Sequence, residues 1–301
     1  MAAIRQSKGD RIFDAVNLTL MTLLMLIVLY PLVYILSASI SNPDLVNRGE
    51  IWLLPKGITF EGYIRVFQDN EIMIGYRNTI FYTVAGTIVN LFFTLTAAYA
   101  LSKRELKGRS IFMFFFAFTM YFSGGMVPTY LLMRNLNLIN TYFVLIICGA
   151  VSTSNLIISR TFFANGVPQD IEEAAFIDGC SPIRAFIVIV LPLSKALIGV
   201  MALYYGVGHW NNYFNALIYL TDRSMVPLQL VLREILVEQQ VKADMMAGGA
   251  YVDELLLDAQ VRLASLVRFS VIIVSSLPVL IAYPFLQKYF DKGVMIGSLK
   301  G

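Results

Sequence analysis

Apolar residues in this chain do not alternate with polar ones as they would along a strand. They gather into long runs. Residues 15–43, 78–102, 110–133, 135–159, 196–221 and 269–287 contain no Asp, Glu, Lys or Arg. At about 1.5 Å of rise per residue, about 20 helical residues cross a hydrocarbon core about 30 Å thick. The last run is the shortest and borrows from its flanks. The pattern predicts an all-α polytopic membrane protein. Its six transmembrane helices fall at about 15–41, 78–102, 110–133, 135–159, 196–221 and 269–287, in a single domain over residues 1–301. The first run exceeds the roughly 7–15 apolar residues of a cleaved secretory leader. Dense Leu, Met, Ile and Tyr mark it as a permanent span.

Composition agrees. Of 301 residues 57% are hydrophobic and 14% charged, with a mean hydropathy of +0.69, whereas soluble domains carry about a quarter charged residues. Positive residues in short connections set orientation. Arg5, Lys8 and Arg11 lie in the N-terminal segment 1–14. Lys103, Arg104, Lys107 and Arg109 follow the second span, and Lys288, Lys292 and Lys300 lie in the tail 288–301. The connection from Asn135 to Asn140 has only Arg134 beside it. Both termini and the loop 168–192 are therefore expected in the cytoplasm, and the long connections 42–77 and 222–268 outside. Glu238 to Gln260 reads as a short outer helix with a glycine break. The net charge of +3 reflects topology. No basic face with aromatic readers suggests nucleic acid. Cys148 and Cys180 lack the spacing of a zinc site or a disulfide framework and read as packing thiols.

The loop between spans 4 and 5 is the unusual passage: residues 172–193 read EEAAFIDGCSPIRAFIVIVLPL. Asp170 and Glu173, behind Pro168, have the spacing of a capping box. Ala174 and Ala175 keep one surface small. Gly179 suits a left-handed helix terminus, and Ser181-Pro182 an N-cap and first-turn proline. Ile183, Phe186, Ile187 and Val190 then form an apolar stripe at helical spacing, until Leu191-Pro192 stops or kinks the helix. The prediction is a short helix-turn-helix at the membrane surface, shaped for docking; a solvated surface helix with an amphipathic successor fits the same residue types. Catalysis by the acids is disfavoured, because adjacent helical carboxylates point about 100° apart and no His, Cys or ligand set completes a site.

The string Glu173-Ala174-Ala175, three residues, Gly179, nine residues, Ile189-Val190-Leu191-Pro192 resembles the EAA loop of ABC-importer permeases at every position. The resemblance covers nearly the whole chain and points to the carbohydrate-uptake branch that includes the maltose permeases. AAYALSK (97–103), GGMVPTY (124–130), HWNNYFNALIYL (209–220) and QKYFDKGVMIGSLKG (287–301) also match. The second and last pieces are similar to the subgroup tied to complex oligosaccharides and lipoprotein-type binding proteins.

That resemblance implies coupling helices that enter a cleft of a cytoplasmic ATPase. Glu173 is then the polar anchor and Gly179 the turn between the helices, with Glu172, Ala174, Ala175, Asp178, Ile189 and Pro192 in the same ATPase-coupling set. The tail residues Gly297, Ser298, Leu299, Lys300 and Gly301 are expected to reach the same interface. Implied partners are a homologous second permease, an ATPase dimer, an extracellular or periplasmic solute-binding protein, a sugar or oligosaccharide, and the lipid of a bacterial or archaeal cytoplasmic membrane. The chain itself is expected to be no enzyme and to bind no cofactor, ATP and Mg being used by the ATPase. It carries no GxxxxGK[ST] phosphate loop.

Span 5 contains GVGHWNNYFN. His209, Trp210, Asn211, Asn212, Tyr213 and Asn215 supply amides and aromatic faces suited to a carbohydrate path; hydrogen bonding between helices and an aromatic belt would use the same residues. Asn155, with Ser152 and Ser154, and Asn90 are further candidates. An ion-coupled secondary transporter is the competing class, but ionisable groups at membrane depth are its usual mark, and the six runs contain only His209. An intramembrane enzyme would need a nucleophile–base pair or HExxH, which is missing.

Overall fold

The structure, a computed structural model, describes residues 7–247, 267–284 and 287, and the described residues contain no strand. The expected outer helix beyond Ala247 and the tail residues Gly297, Ser298, Leu299, Lys300 and Gly301 lie outside them. The chain divides into two units, Met1–Asp69 with Glu234–Ser276, and Asn70–Arg233 with Leu277–Gly301.

In the first unit, α1 (Lys8–Ser39) opens with a capping box in which Ser7 Oγ accepts the Asp10 N–H and the Asp10 carboxylate accepts the Ser7 N–H. The side chains from Ile12 to Leu32 stay exposed, as suits a helix whose solvent is lipid. Only the last turn is buried, where Ala38 packs with Val46 and Ile51 beside α2 (Pro43–Asn47). A further helix, α3 (Glu61–Gln68), completes the stretch before Asp69.

In the second unit, α4 (Asn70–Ser102) is the axis on which the other helices pack. From Gly75 to Thr94 its buried positions are Gly75, Asn78, Thr79, Tyr82, Gly86, Asn90 and Thr94, at helical spacing along one face. That face is small or polar while Val84, Ile88 and Phe92 point outward. Lipid tails remove any hydrophobic drive between helices, so close backbone approach and interhelical hydrogen bonds decide which face turns inward.

Three of the six runs are broken. Run 110–133 divides into α5 (Arg109–Tyr121) and α6 (Met126–Asn135), which meet at 116° around Gly125, at φ +85°. Run 135–159 divides into α7 (Tyr142–Ile147) and α8 (Thr153–Gly166) around Gly149, at φ +82°. Backbone carbonyls freed inside a membrane need partners. Asn90 Nδ2 supplies them, donating to Ala150 O at 2.7 Å and Gly149 O at 3.3 Å.

Across the loop 168–192, the chain continues through α9 (Gln169–Ile177), α10 (Pro182–Ala185), a π-helical turn (Phe186–Val190) and α11 (Leu191–Leu193). Run 196–221 then stops as α12 (Lys195–Trp210) and resumes as α13 (Phe214–Tyr219). The segment that follows is pinned to α4: Asn78 Nδ2 donates to Ser224 O and Val226 O, Tyr82 Oη to Met225 O, and the Leu228 N–H to Thr79 Oγ1. Beyond it lie α14 (Leu228–Ala247) and α15 (Val267–Pro284).

Candidate functional site

The loop between α8 and α12 folds into the expected helix-turn-helix, with one difference at its start. Pro168 is the N-cap of α9 and has no side-chain acceptor, so Asp170 and Glu173 form no capping box. Asp170 and Glu172 occupy the first turn instead, at the positive end of the helix. The C-terminus of α9 is a complete Schellman motif. The Cys180 N–H donates to Ala175 O at 2.9 Å and the Gly179 N–H to Phe176 O at 3.1 Å, around Gly179 at φ +82°. Ser181 Oγ then accepts the Arg184 N–H at 3.4 Å and caps α10, with Pro182 in its first turn.

Proline has no N–H, and ahead of Pro192 the backbone widens into the π-helical turn, where the Leu191 amide reaches Phe186 O. The bend comes at Ser194, where Pro182–Leu193 and Lys195–Trp210 meet at 83°. The expected apolar stripe is thereby divided. Phe186 and Val190 are buried, whereas Ile183 and Ile187 line an apolar groove of about 550 Å³ with Phe92, Leu95 and Thr96.

The two adjacent glutamates differ in burial: Glu173 is exposed and Glu172 is not. Glu172 is 5% exposed. Its Oε2 accepts Tyr99 Oη at 3.0 Å and pairs with the Lys103 ammonium, which also lies over the Tyr99 ring. Tyr99 stacks on Phe186, with ring centroids 4.6 Å apart. Glu173, Ala174, Asp178 and Gly179 are exposed, Ala175 and Ile189 half-buried and Pro192 exposed. Beside them the large apolar side chains of Phe176, Ile177 and Ile183 also stand in the open. The loop thus presents exposed acids and small residues together with exposed apolar side chains. Among the described residues no cluster of His, Cys, Asp and Glu could hold a metal ion.

The polar group of span 5 separates into two parts. His209 Nε2 lies 2.6 Å from Asn90 Oδ1, so these two candidates join in a link between α4 and α12 that continues to the carbonyls of Gly149 and Ala150. Trp210 is buried edge-on against Tyr76, ring centroids 6.0 Å apart. Past the end of α12, Asn211 and Tyr213 are exposed and Asn212 and Asn215 half-buried. Asn212 Oδ1 accepts the Asn215 N–H at 3.3 Å, and the Arg233 guanidinium lies 5.7 Å from the Tyr213 ring centre. Asn155 is half-buried on α8, next to the exposed Ser154; the Ser152 N–H donates to Tyr205 Oη.

No protein-family model matches the chain. It is 40% identical to Protein LplC of Bacillus subtilis strain 168 over 298 residues, covering 99% of this chain and 98% of that one. It is 37% identical to the polygalacturonan/rhamnogalacturonan transport system permease protein YtcP of the same strain over 295 residues, covering 97% and 99%. A crystal structure of a bacterial ABC transporter involved in import of the acidic polysaccharide alginate superposes with a TM-score of 0.84 at 36% identity, covering 96% of this chain and all of that one. The chain belongs to the permeases of ABC sugar and oligosaccharide importers.

As a member of that family the permease is a multi-pass integral membrane protein. Three residues escaped the sequence reading. Tyr99 and Lys103 sit four residues apart in AAYALSK, a piece noted for its resemblance and for the charge of Lys103, and that one-turn spacing was the available signal. Arg233 stands in the long connection after span 5, and nothing local to it in sequence points to Tyr213.

Proposed function

We propose that this permease forms half of the translocation path of a sugar or oligosaccharide importer and is driven by a cytoplasmic ATPase through the loop 168–192. Six spans place both termini and that loop in the cytoplasm of a bacterium, the broken runs counting as one span each. A homologous permease completes the path, two ATPase copies dock inside and a solute-binding protein outside. The observation that carries this reading is the free face of Glu173, Ala174, Asp178 and Gly179, ringed by exposed apolar side chains at a stiff helical turn. ATP and Mg belong to the ATPase. The tail from Gly297 to Gly301 adds to the same interface.

The cargo is an acidic oligosaccharide of the uronate class. YtcP is named for polygalacturonan and the alginate importer for an acidic polysaccharide. Exposed Tyr213 beneath Arg233, beside Asn211, offers an aromatic face, a cation and an amide to a charged sugar. His209 and Asn90 hold the helices of the path together rather than touching cargo.

The test is uptake into proteoliposomes of the complete complex, with the ATPase inside and the binding protein outside. Oligogalacturonate should accumulate with ATP and not with an ion gradient. Arg233→Gln should lower that uptake about tenfold, the equivalent of about 1.4 kcal/mol, and leave any neutral-sugar uptake unchanged. Accumulation driven by an ion gradient without ATP would instead establish a secondary transporter.

A further inference from the structure

We propose that Glu172, Lys103 and Tyr99 form the clamp that delivers movement of α9 to α4, so that the glutamate doublet serves two masters: Glu173 meets the ATPase and Glu172 holds the membrane helices. The proposal rests on the coupling-loop reading above.

Short helices usually attach to a protein through buried apolar side chains. Among the described side chains of α9, the buried one is instead Glu172; Ile171, Phe176 and Ile177 are exposed. The most deeply buried contact of α9 with the spans is therefore a charge pair. Apolar contacts are non-directional and can slide. A carboxylate oxygen that accepts a tyrosine hydroxyl and pairs with an ammonium has one geometry, and separating a buried pair leaves an uncompensated charge. Tyr99 lies in the last turn of α4 and Lys103 directly follows its final residue, Ser102, so a push on α9 reaches the end of α4 directly. The second leg of the loop is tied to the same place, because the Tyr99 ring, which the Lys103 ammonium overlies, also stacks with Phe186 of the π-helical turn. Farther along, α4 carries the link through Asn90 to His209 and to the break at Gly149, and then holds the segment 224–228 through Asn78, Thr79 and Tyr82. One helix thus joins the coupling loop to the opposite end of the unit.

The experiment measures ATP hydrolysed per sugar imported by the complete complex in proteoliposomes, for Glu172→Gln, Tyr99→Phe and Lys103→Met. A slack clamp lets the ATPase cycle without moving the spans, so the ratio should rise about tenfold in Glu172→Gln and about threefold in Tyr99→Phe, which loses one hydroxyl and keeps its stacking. Glu172→Gln combined with Lys103→Met should be no worse than either alone, because both cut the same link. A merely structural role would lower hydrolysis and uptake together and leave the ratio at its wild-type value, which would overturn the clamp. Should Glu172→Gln fail to assemble, Tyr99→Phe decides by the same ratio. A wild-type complex whose uptake does not depend on ATP would overturn the coupling-loop reading itself, an outcome distinct from failure of the clamp alone.

Discussion

Glu173→Lys abolishes ATP-driven uptake while the chain still inserts into the membrane in normal amount. Glu173 lies on the exposed face of α9, so its replacement disturbs no packing, and exposed substitutions away from special features shift stability within about 0.5 kcal/mol. At a docking surface the same change removes a charged contact and sets a cation where an anion belongs. Reversing one member of a desolvated interfacial pair costs about 2–5 kcal/mol. Uptake should therefore fall at least about 30-fold, with binding-protein-stimulated ATP hydrolysis falling alongside it. Immunoblots of membrane fractions and uptake of labelled oligosaccharide check the two halves. Normal uptake in this variant would remove Glu173 from the coupling surface.

Gly86→Ala loosens the permease from within. A Cβ at residue 86 would overlap the His209 imidazole, which lies directly against the glycine. Either α4 and α12 separate, or the ring swings away and surrenders its bond to Asn90. Forced overpacking of this kind costs about 1–3 kcal/mol, and a buried Asn90 oxygen left without a donor costs about as much. The midpoint of thermal unfolding in detergent should drop by about 5 °C. Gly208→Ala, next to His209 on α12, is the control, because a Cβ there has nothing within 4 Å. It should leave the midpoint unchanged or raise it slightly, alanine being the better helix former. Equal effects at the two glycines would mean that His209 does not pack on residue 86.

Much of this architecture is written in the chain as length without charge. Hydropathy located α1, α4 and α15, because an unbroken helix needs only composition. It could not place the breaks at Gly125, Gly149 and Asn211, since an apolar run looks the same whether its backbone continues or turns. Nor does it tell where a helix ends beyond the lipid: α4 starts at Asn70 and carries Glu71 and Arg77, although the charge-free run begins at residue 78. The turn chemistry of the loop 168–192 was legible: Gly179, free of a Cβ, takes the left-handed turn, and Ser181-Pro182 opens the next helix. The burial of Glu172 beside an exposed Glu173 was not, because a two-turn helix has too few residues to show a periodicity. The partners of Glu172 lie on a different helix, far off in sequence. His209 and Asn90 stood out as polar residues in apolar runs, and only their 2.6 Å approach reveals the bond between α4 and α12.

The central claim is that the face of α9 beside Glu173 touches a motor. Cysteine-directed photo-cross-linking tests it most directly, in a variant lacking Cys148 and Cys180, with one new cysteine at Ala174 carrying a benzophenone maleimide, whose excited ketone inserts into any neighbouring C–H bond. The account predicts a product containing this chain and the ATPase subunit, formed from Ala174→Cys and not from a cysteine at Asn211. A product with the ATPase from Asn211→Cys, or none from Ala174→Cys in a complex that still hydrolyses ATP, would contradict it.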